Sequence, residues 1–378
     1  MKGAHKTAAW PLAQAYAALI VYASLYPFAG WRDQGTAPWE FLFSPWPKYW
    51  TGFDVTANVA GYAPLGFLLT LGILRRGLAR LLGFGNLAAI GAATLAAAVL
   101  ALCMEGLQTY LPYRVPSNVD LGLNVLGALI GAVAAGALEV AGAIDRWSRF
   151  RERWFVEESR GALVLLALWP VALLFPPSVP LGLGQVFERL EVALADWLLD
   201  TPFLEWLPVR DVELQPLVPG VEMICVALGA LIPCLLGYSV MRSIGRRAAL
   251  AASVVAIGVL ATALSAALSW GPVHAWAWLS LPVRLGLVVG LVLALMLVRV
   301  SRRLCAALVL VALVVHLSLL NQAPASAYFA DTLQAWERGR FIHFNGLAQW
   351  LGWLWPYVAL VYVLQSVSRA DPGPKISA

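Results

Sequence analysis

Ser117-Asn-Val-Asp120-Leu-Gly-Leu-Asn124-Val-Leu-Gly127-Ala-Leu-Ile-Gly131 opens a run that stays apolar to about residue 143. About 20 apolar residues cross the hydrocarbon core of a bilayer as one helix. This run is long enough, and its acids stand only near its two ends. Nine further apolar runs lie near residues 10–29, 53–74, 86–110, 160–177, 217–240, 248–270, 277–298, 304–321 and 346–366. The chain is 61% apolar and 12% charged, with a mean hydropathy of +0.75. A soluble domain is about 45–50% apolar and about 25% charged. The sequence therefore predicts an all-α, polytopic transmembrane helical bundle of about ten helices. No basic run is longer than a short loop, so nucleic acid is not expected as a partner. Cys103, Cys225, Cys234 and Cys305 all lie in apolar segments and read as small hydrophobes. No His/Cys spacing of the zinc type occurs, and neither a metal site nor a cofactor is expected.

Positive charge sets the orientation, because cytoplasmic loops retain Lys and Arg. With the amino terminus inside, 18 of the 26 basic residues fall on the cytoplasmic side: Lys2 and Lys6, Arg75 to Arg80, Arg146 to Arg160, Arg242 to Arg247, Arg299 to Arg303, and Arg369 with Lys375. The outer loops hold seven, and Arg284 falls inside a span. Both ends are thus expected in the cytoplasm. Lys2 and Lys6 precede an apolar stretch reaching Phe28, which reads as an uncleaved first helix rather than a signal peptide. Residues 1–145 read as one domain of four spans, 146–159 as a basic linker, 160–366 as a second region of six spans, and 367–378 as a tail. Two outer stretches, 185–200 and 328–341, read as helices lying in the membrane interface.

The second and fourth spans share a motif. Thr51-Gly-Phe-Asp54-Val-Thr-Ala-Asn58-Val-Ala-Gly61 matches Ser117-Asn-Val-Asp120-Leu-Gly-Leu-Asn124-Val-Leu-Gly127, and both enter from the outer side. A helical hairpin is therefore expected twice. Glu222 before Gly229, and Arg284-Leu-Gly-Leu-Val, suggest a second copy within 160–298 whose polar residues have changed. Thr51 and Ser117 are suited to cap their helices, with Asp54 and Asp120 three residues on as in a capping box. Capping alone accounts for the two aspartates, but not for Asn58 and Asn124 one turn deeper. Gly61, Gly127 and Gly131 continue the stripe and are expected to allow close helix contact.

Glu105 and Gln108 stand near the outer, carboxyl-terminal end of the third span, where a carboxylate faces the negative end of the helix dipole. An ionised carboxylate in the apolar slab is costly without a partner. Arg114, in the loop that follows, is the nearest cation in sequence. The candidate site is accordingly Asp54, Asn58, Glu105, Gln108, Arg114, Asp120 and Asn124. A binding or catalytic site and a buried ionic cluster that only fixes packing both fit these residues.

Residues from about 16 to 140 resemble the VanZ-like family of bacterial membrane proteins. The resemblance rests on Tyr26-Pro27-Phe28, Asp54, Asn58, Gly61, Pro64-Leu65-Gly66, Glu105, Gln108, Arg114, Asp120, Asn124 and Gly127. The family takes its name from a protein linked to teicoplanin resistance. It implies an envelope role near peptidoglycan or polysaccharide precursors and brings no established reaction. The expected function is to bind or modify an envelope lipid or lipid-linked glycan. The carboxylates would act as acid/base groups or cation ligands, and Arg114 would hold a phosphate. Two alternatives stand beside it. One is a non-catalytic scaffold for envelope-assembly proteins. The other is an ion-coupled transporter, against which the ionisable groups crowd one leaflet.

Overall fold

A computed structural model describes residues 9–26, 28, 30–46, 52–75, 85–156, 159–206, 214–324 and 342–368. Pro27, Thr51 and the stretch 328–341 lie outside the described residues. Regular structure among those described is helical, with one isolated bridge between Phe155 and Met241. The chain divides into two compact units, Met1–Arg151 and Glu152–Ala378.

The first unit holds α1 (Ala9–Leu25), α2 (Gly52–Arg75), α3 (Asn86–Gln108) and α4 (Asn118–Val140), followed by the amphipathic α5 (Ala143–Trp154). The second holds α6 (Arg160–Ala172), the interfacial-type α7 (Phe187–Leu198), α8 (Pro219–Val240), α9 (Arg247–Trp270), α10 (Leu281–Met296), α11 (Arg302–Leu320) and α12 (Ile342–Ser368). Ten apolar helices thus occupy the ten apolar runs. Eight are long and apolar enough to cross a membrane, while α1 and α6 are shorter, at 17 and 13 residues.

The short α6 departs from the expected span at 160–177. Pro176 and Pro177 cannot continue a helix, and the chain runs on as irregular backbone from Leu173 to Val186. This segment is buried. Leu173, Val179, Leu181 and Leu183 belong to the core, and a methyl group added at Gly229 of α8 would lie 2.7 Å from the Leu181 carbonyl oxygen. Leu181 and Gly184 have φ of 62° and 98°. Irregular backbone among membrane helices must find its hydrogen bonds in the protein. Here Asn321 Nδ2 and the Tyr357 hydroxyl both donate to Gly184 O, at 3.2 and 3.0 Å. The Asn321 Oδ1 accepts from the amides of Val186 and Phe187, at 3.1 and 3.2 Å.

In the first unit α2 and α4 run parallel with their backbones touching. Gly127 lies on Val59 and Gly131 on Ala63. Gly61 does not belong to this seam, contrary to the sequence expectation, since nothing approaches its α-carbon within 4 Å on that side. Gly66 takes its place against Ala128. The seam on α2 runs through Val59, Ala63 and Gly66, three and four residues apart on one face, whereas Gly61, two residues from Val59, lies on the opposite side, and its carbonyl accepts the Tyr16 hydroxyl of α1 at 3.0 Å.

The second unit repeats the order of the first: a short helix, a long connection, then three long helices joined by short connections. Its parallel pair α8 and α10 also meets through glycines, Gly286 on Met223 and Gly290 on Ala227. Ser280 caps α10 through Val283 N as Ser117 caps α4 through Val119 N and Asp120 N. The acids are not repeated. Ser280 Oγ donates to Glu222 at 3.5 Å, Arg284 is exposed, and α9 carries no carboxylate where α3 carries Glu105.

At one end of the first unit Arg75 bridges Glu139 and Asp145, at 2.9 and 2.8 Å. The polar cluster stands at the other end. Topology reporters fused after Arg153, Arg246 and Arg302 are expected to read cytoplasmic, and those near Arg114 and Asp200 extracytoplasmic. A cytoplasmic signal at Arg114 would reverse the orientation read from the basic residues.

Candidate functional site

Residue by residue, the structure splits the seven candidates into two groups. Gln108 and Arg114 turn towards α1. Gln108 Nε2 donates to Ser24 O at 2.9 Å, and Arg114 Nη2 donates to Tyr26 O at 3.1 Å and Ala23 O at 3.4 Å. These are the carbonyls that the carboxyl end of a helix leaves unpaired, so both side chains cap α1. Burial draws the Arg114 guanidinium below its ordinary range, and the Glu105 carboxylate acts against that shift. The sequence reading gave Arg114 to a ligand phosphate; the geometry gives it to helix α1.

The inner group is Asn58, Glu105, Asp120 and Asn124, with Asp54 on the first turn of α2. Asn58 Nδ2 donates to Asp120 Oδ1 at 2.8 Å, a charge-assisted bond across the α2–α4 seam. Asp54 places a second negative charge near Asp120. Glu105, only 5% exposed, sits on α3 with the fields of Asp120 and Arg114 upon it. It makes no ion pair among the described residues; its Oε2 accepts from the Ser117 backbone N–H at 2.9 Å.

That bond changes the reading of Asp120. In a capping box the side chain at the third helical position returns to the N–H of the cap residue. Here Ser117 Oγ accepts from Val119 N and Asp120 N as expected, at 3.2 and 3.3 Å. The return bond to Ser117 N comes from Glu105 on another helix. Asp120 is released from capping and faces Asn58 instead. Capping therefore does not account for Asp120.

Two features escaped the sequence reading, and a third adds to what it said of Asn124. Tyr62, one turn below Asn58, is 5% exposed, and its hydroxyl has no hydrogen-bond partner among the described residues. Asn124 is 6% exposed, with its Oδ1 in the same condition. The connection after α1 also lies over this end: Arg32 N donates to Tyr110 O, Gln34 Nε2 to Thr109 O, and Asn118 Nδ2 to Ser44 O, while the Trp39 ring rests against Gly106. Tyr62 carried no signal in the sequence because a tyrosine in an apolar run reads as core.

Taken together, the apolar helices and the buried polar set define a multi-pass membrane protein with a polar centre at one end of its first unit. Residues 6–139 match a protein-family model described as VanZ/LLP1, which covers less than half of the 378 residues and includes every residue of that centre. No curated protein and no solved structure matches the chain.

Proposed function

We propose that the VanZ-like segment binds an envelope lipid or lipid-linked glycan precursor at the outer face of the bacterial cytoplasmic membrane. The observation that carries this reading is Glu105. A buried carboxylate at membrane depth, with no cation among the described residues paired to it and one oxygen spent on a backbone amide, keeps its second oxygen for another group. Asp120 and Asn58 stand beside it as charge and orientation. An outward position follows from the basic residues, and it would give the centre access to molecules on the envelope side.

Two substitutions separate this reading from a scaffold. In Glu105→Gln the amide oxygen still accepts from Ser117 N, so the cap of α4 survives and only the charge goes. In Glu105→Ala the cap bond goes as well. The expected result is that the Gln variant keeps wild-type abundance and melting temperature but fails to complement the envelope-stress sensitivity of a deletion strain. The Ala variant should also melt earlier, by roughly the 1–3 kcal/mol that an unpaired buried amide costs. If complementation simply follows protein amount in both variants, the cluster holds helices together and the ligand reading is wrong.

A further inference from the structure

Below the Asn58–Asp120 bond, α2 and α4 keep one register. Asn58 meets Asp120, and two helical turns on, Gly66 lies on Ala128. Residues four apart share a helix face. The pair midway between these two contacts is therefore Tyr62 and Asn124, which face each other across the seam. Both are more than nine-tenths buried. Among the described residues, neither the Tyr62 hydroxyl nor the Asn124 Oδ1 has a hydrogen-bond partner. Glu105 of α3 lies near enough for its charge to act on Tyr62.

The chemistry of the two orphaned atoms is specific. A phenol hydroxyl has a proton to give; an amide oxygen has lone pairs and nothing to give. A phosphate would satisfy Tyr62 alone and would face Glu105 and Asp120. An ammonium could donate to Asn124 and to the phenol oxygen, but it would leave the phenol proton without an acceptor. One neutral group that accepts from the first and donates to the second is an alcohol. We infer that Tyr62 and Asn124 form a subsite for a hydroxyl group of the ligand, as borne by a polyol or sugar headgroup, with Glu105 beside it. This rests on the proposed function and narrows its ligand class.

The test uses the full chain in nanodiscs holding three lipids in equal amount, with native mass spectrometry reading the lipids retained. Phosphatidylglycerol carries headgroup hydroxyls and a charge, diglucosyl diacylglycerol carries hydroxyls and no charge, and phosphatidylcholine carries neither hydroxyls nor net charge. The wild type is expected to retain both hydroxyl-bearing lipids about tenfold over phosphatidylcholine, the scale of one buried hydrogen bond. Tyr62→Phe should bring both ratios close to one, with a melting temperature equal to wild type or higher, because it removes an unpartnered hydroxyl and leaves no hole. Displacement by excess free glycerol or glucose would assign the hydroxyl to a soluble polyol; resistance to it would assign it to a lipid.

A Tyr62→Phe protein that keeps the wild-type ratios overturns the subsite. If Glu105→Gln abolishes retention in that same experiment, the proposed function stands without it. A wild type that shows no preference among the three lipids also overturns the subsite, and if Glu105→Gln then complements the deletion strain in full, both readings fall.

Discussion

Gly131→Ala and Gly66→Ala are each expected to melt far below the wild-type protein, while Gly61→Ala melts close to it. The seam between α2 and α4 is closed by backbone. A methyl group at Gly131 would overlap the Ala63 carbonyl oxygen and lie 2.7 Å from its carbon. At Gly66 the same atom would overlap Ala128 in the same way. No rotamer relieves a clash with backbone, so the two helices must move apart, and the Asn58–Asp120 bond at the top of the seam stretches with them. Overpacking of a well-fitted contact costs about 1–3 kcal/mol and sometimes more. Gly61 is the control, with the same residue type in the same helix and open space at its α-carbon. Thermal unfolding in detergent, followed by intrinsic fluorescence, reads the difference. Equal melting of all three variants would mean that the seam opens freely and does not fix the polar centre.

Arg247→Met is expected to destabilise the second unit by about 3 kcal/mol or more, with Arg247→Lys recovering only part of the loss. Arg247 begins α9, is 2% exposed, and serves helix ends it does not belong to. Its Nη1 donates to Val298 O at 3.0 Å and Val300 O at 2.5 Å, where α10 ends, and its Nη2 donates to Tyr238 O at 2.9 Å in the last turn of α8. Its guanidinium also lies 5.3 Å from the centre of the Tyr238 ring. Hydrogen bonds to a charged donor contribute about 1.5–3 kcal/mol each, and methionine leaves three carbonyls without their donor. Lysine restores the charge but not the planar fork that reaches two helix ends at once. A melting temperature of the Met variant within a degree of wild type would show that these carbonyls find other donors.

How much of this was legible in the sequence follows the range of each interaction. Apolar runs and the motif shared by Asp54 and Asp120 are local, so the ten helices and the depth of the polar residues could be read directly. The shortened α6 was readable in part, since Pro176 and Pro177 announced its end, but the burial of Leu181 against Gly229 depends on a helix far along the chain. Arg247 counted as one more cytoplasmic cation, because nothing local says which carbonyls it meets. Glu105 stood out in the sequence, with Arg114 named as the nearest cation along the chain. The structure gives it the backbone amide of the next helix's cap residue, a contact that no local pattern announces. Gly61 was placed in the seam by matching it to Gly127, yet the face that α2 turns to α4 runs through Val59, Ala63 and Gly66, and Gly61 lies opposite it.

The central claim is that the polar centre of the VanZ-like segment holds a ligand. The most direct measurement is mass spectrometry of what co-purifies from native membranes with equal amounts of wild type, Glu105→Gln and Asp120→Asn. The account predicts at least one lipid or glycan species enriched on the wild type and depleted on both variants, each folded and melting near wild type. The same co-purified profile on all three folded proteins would contradict it.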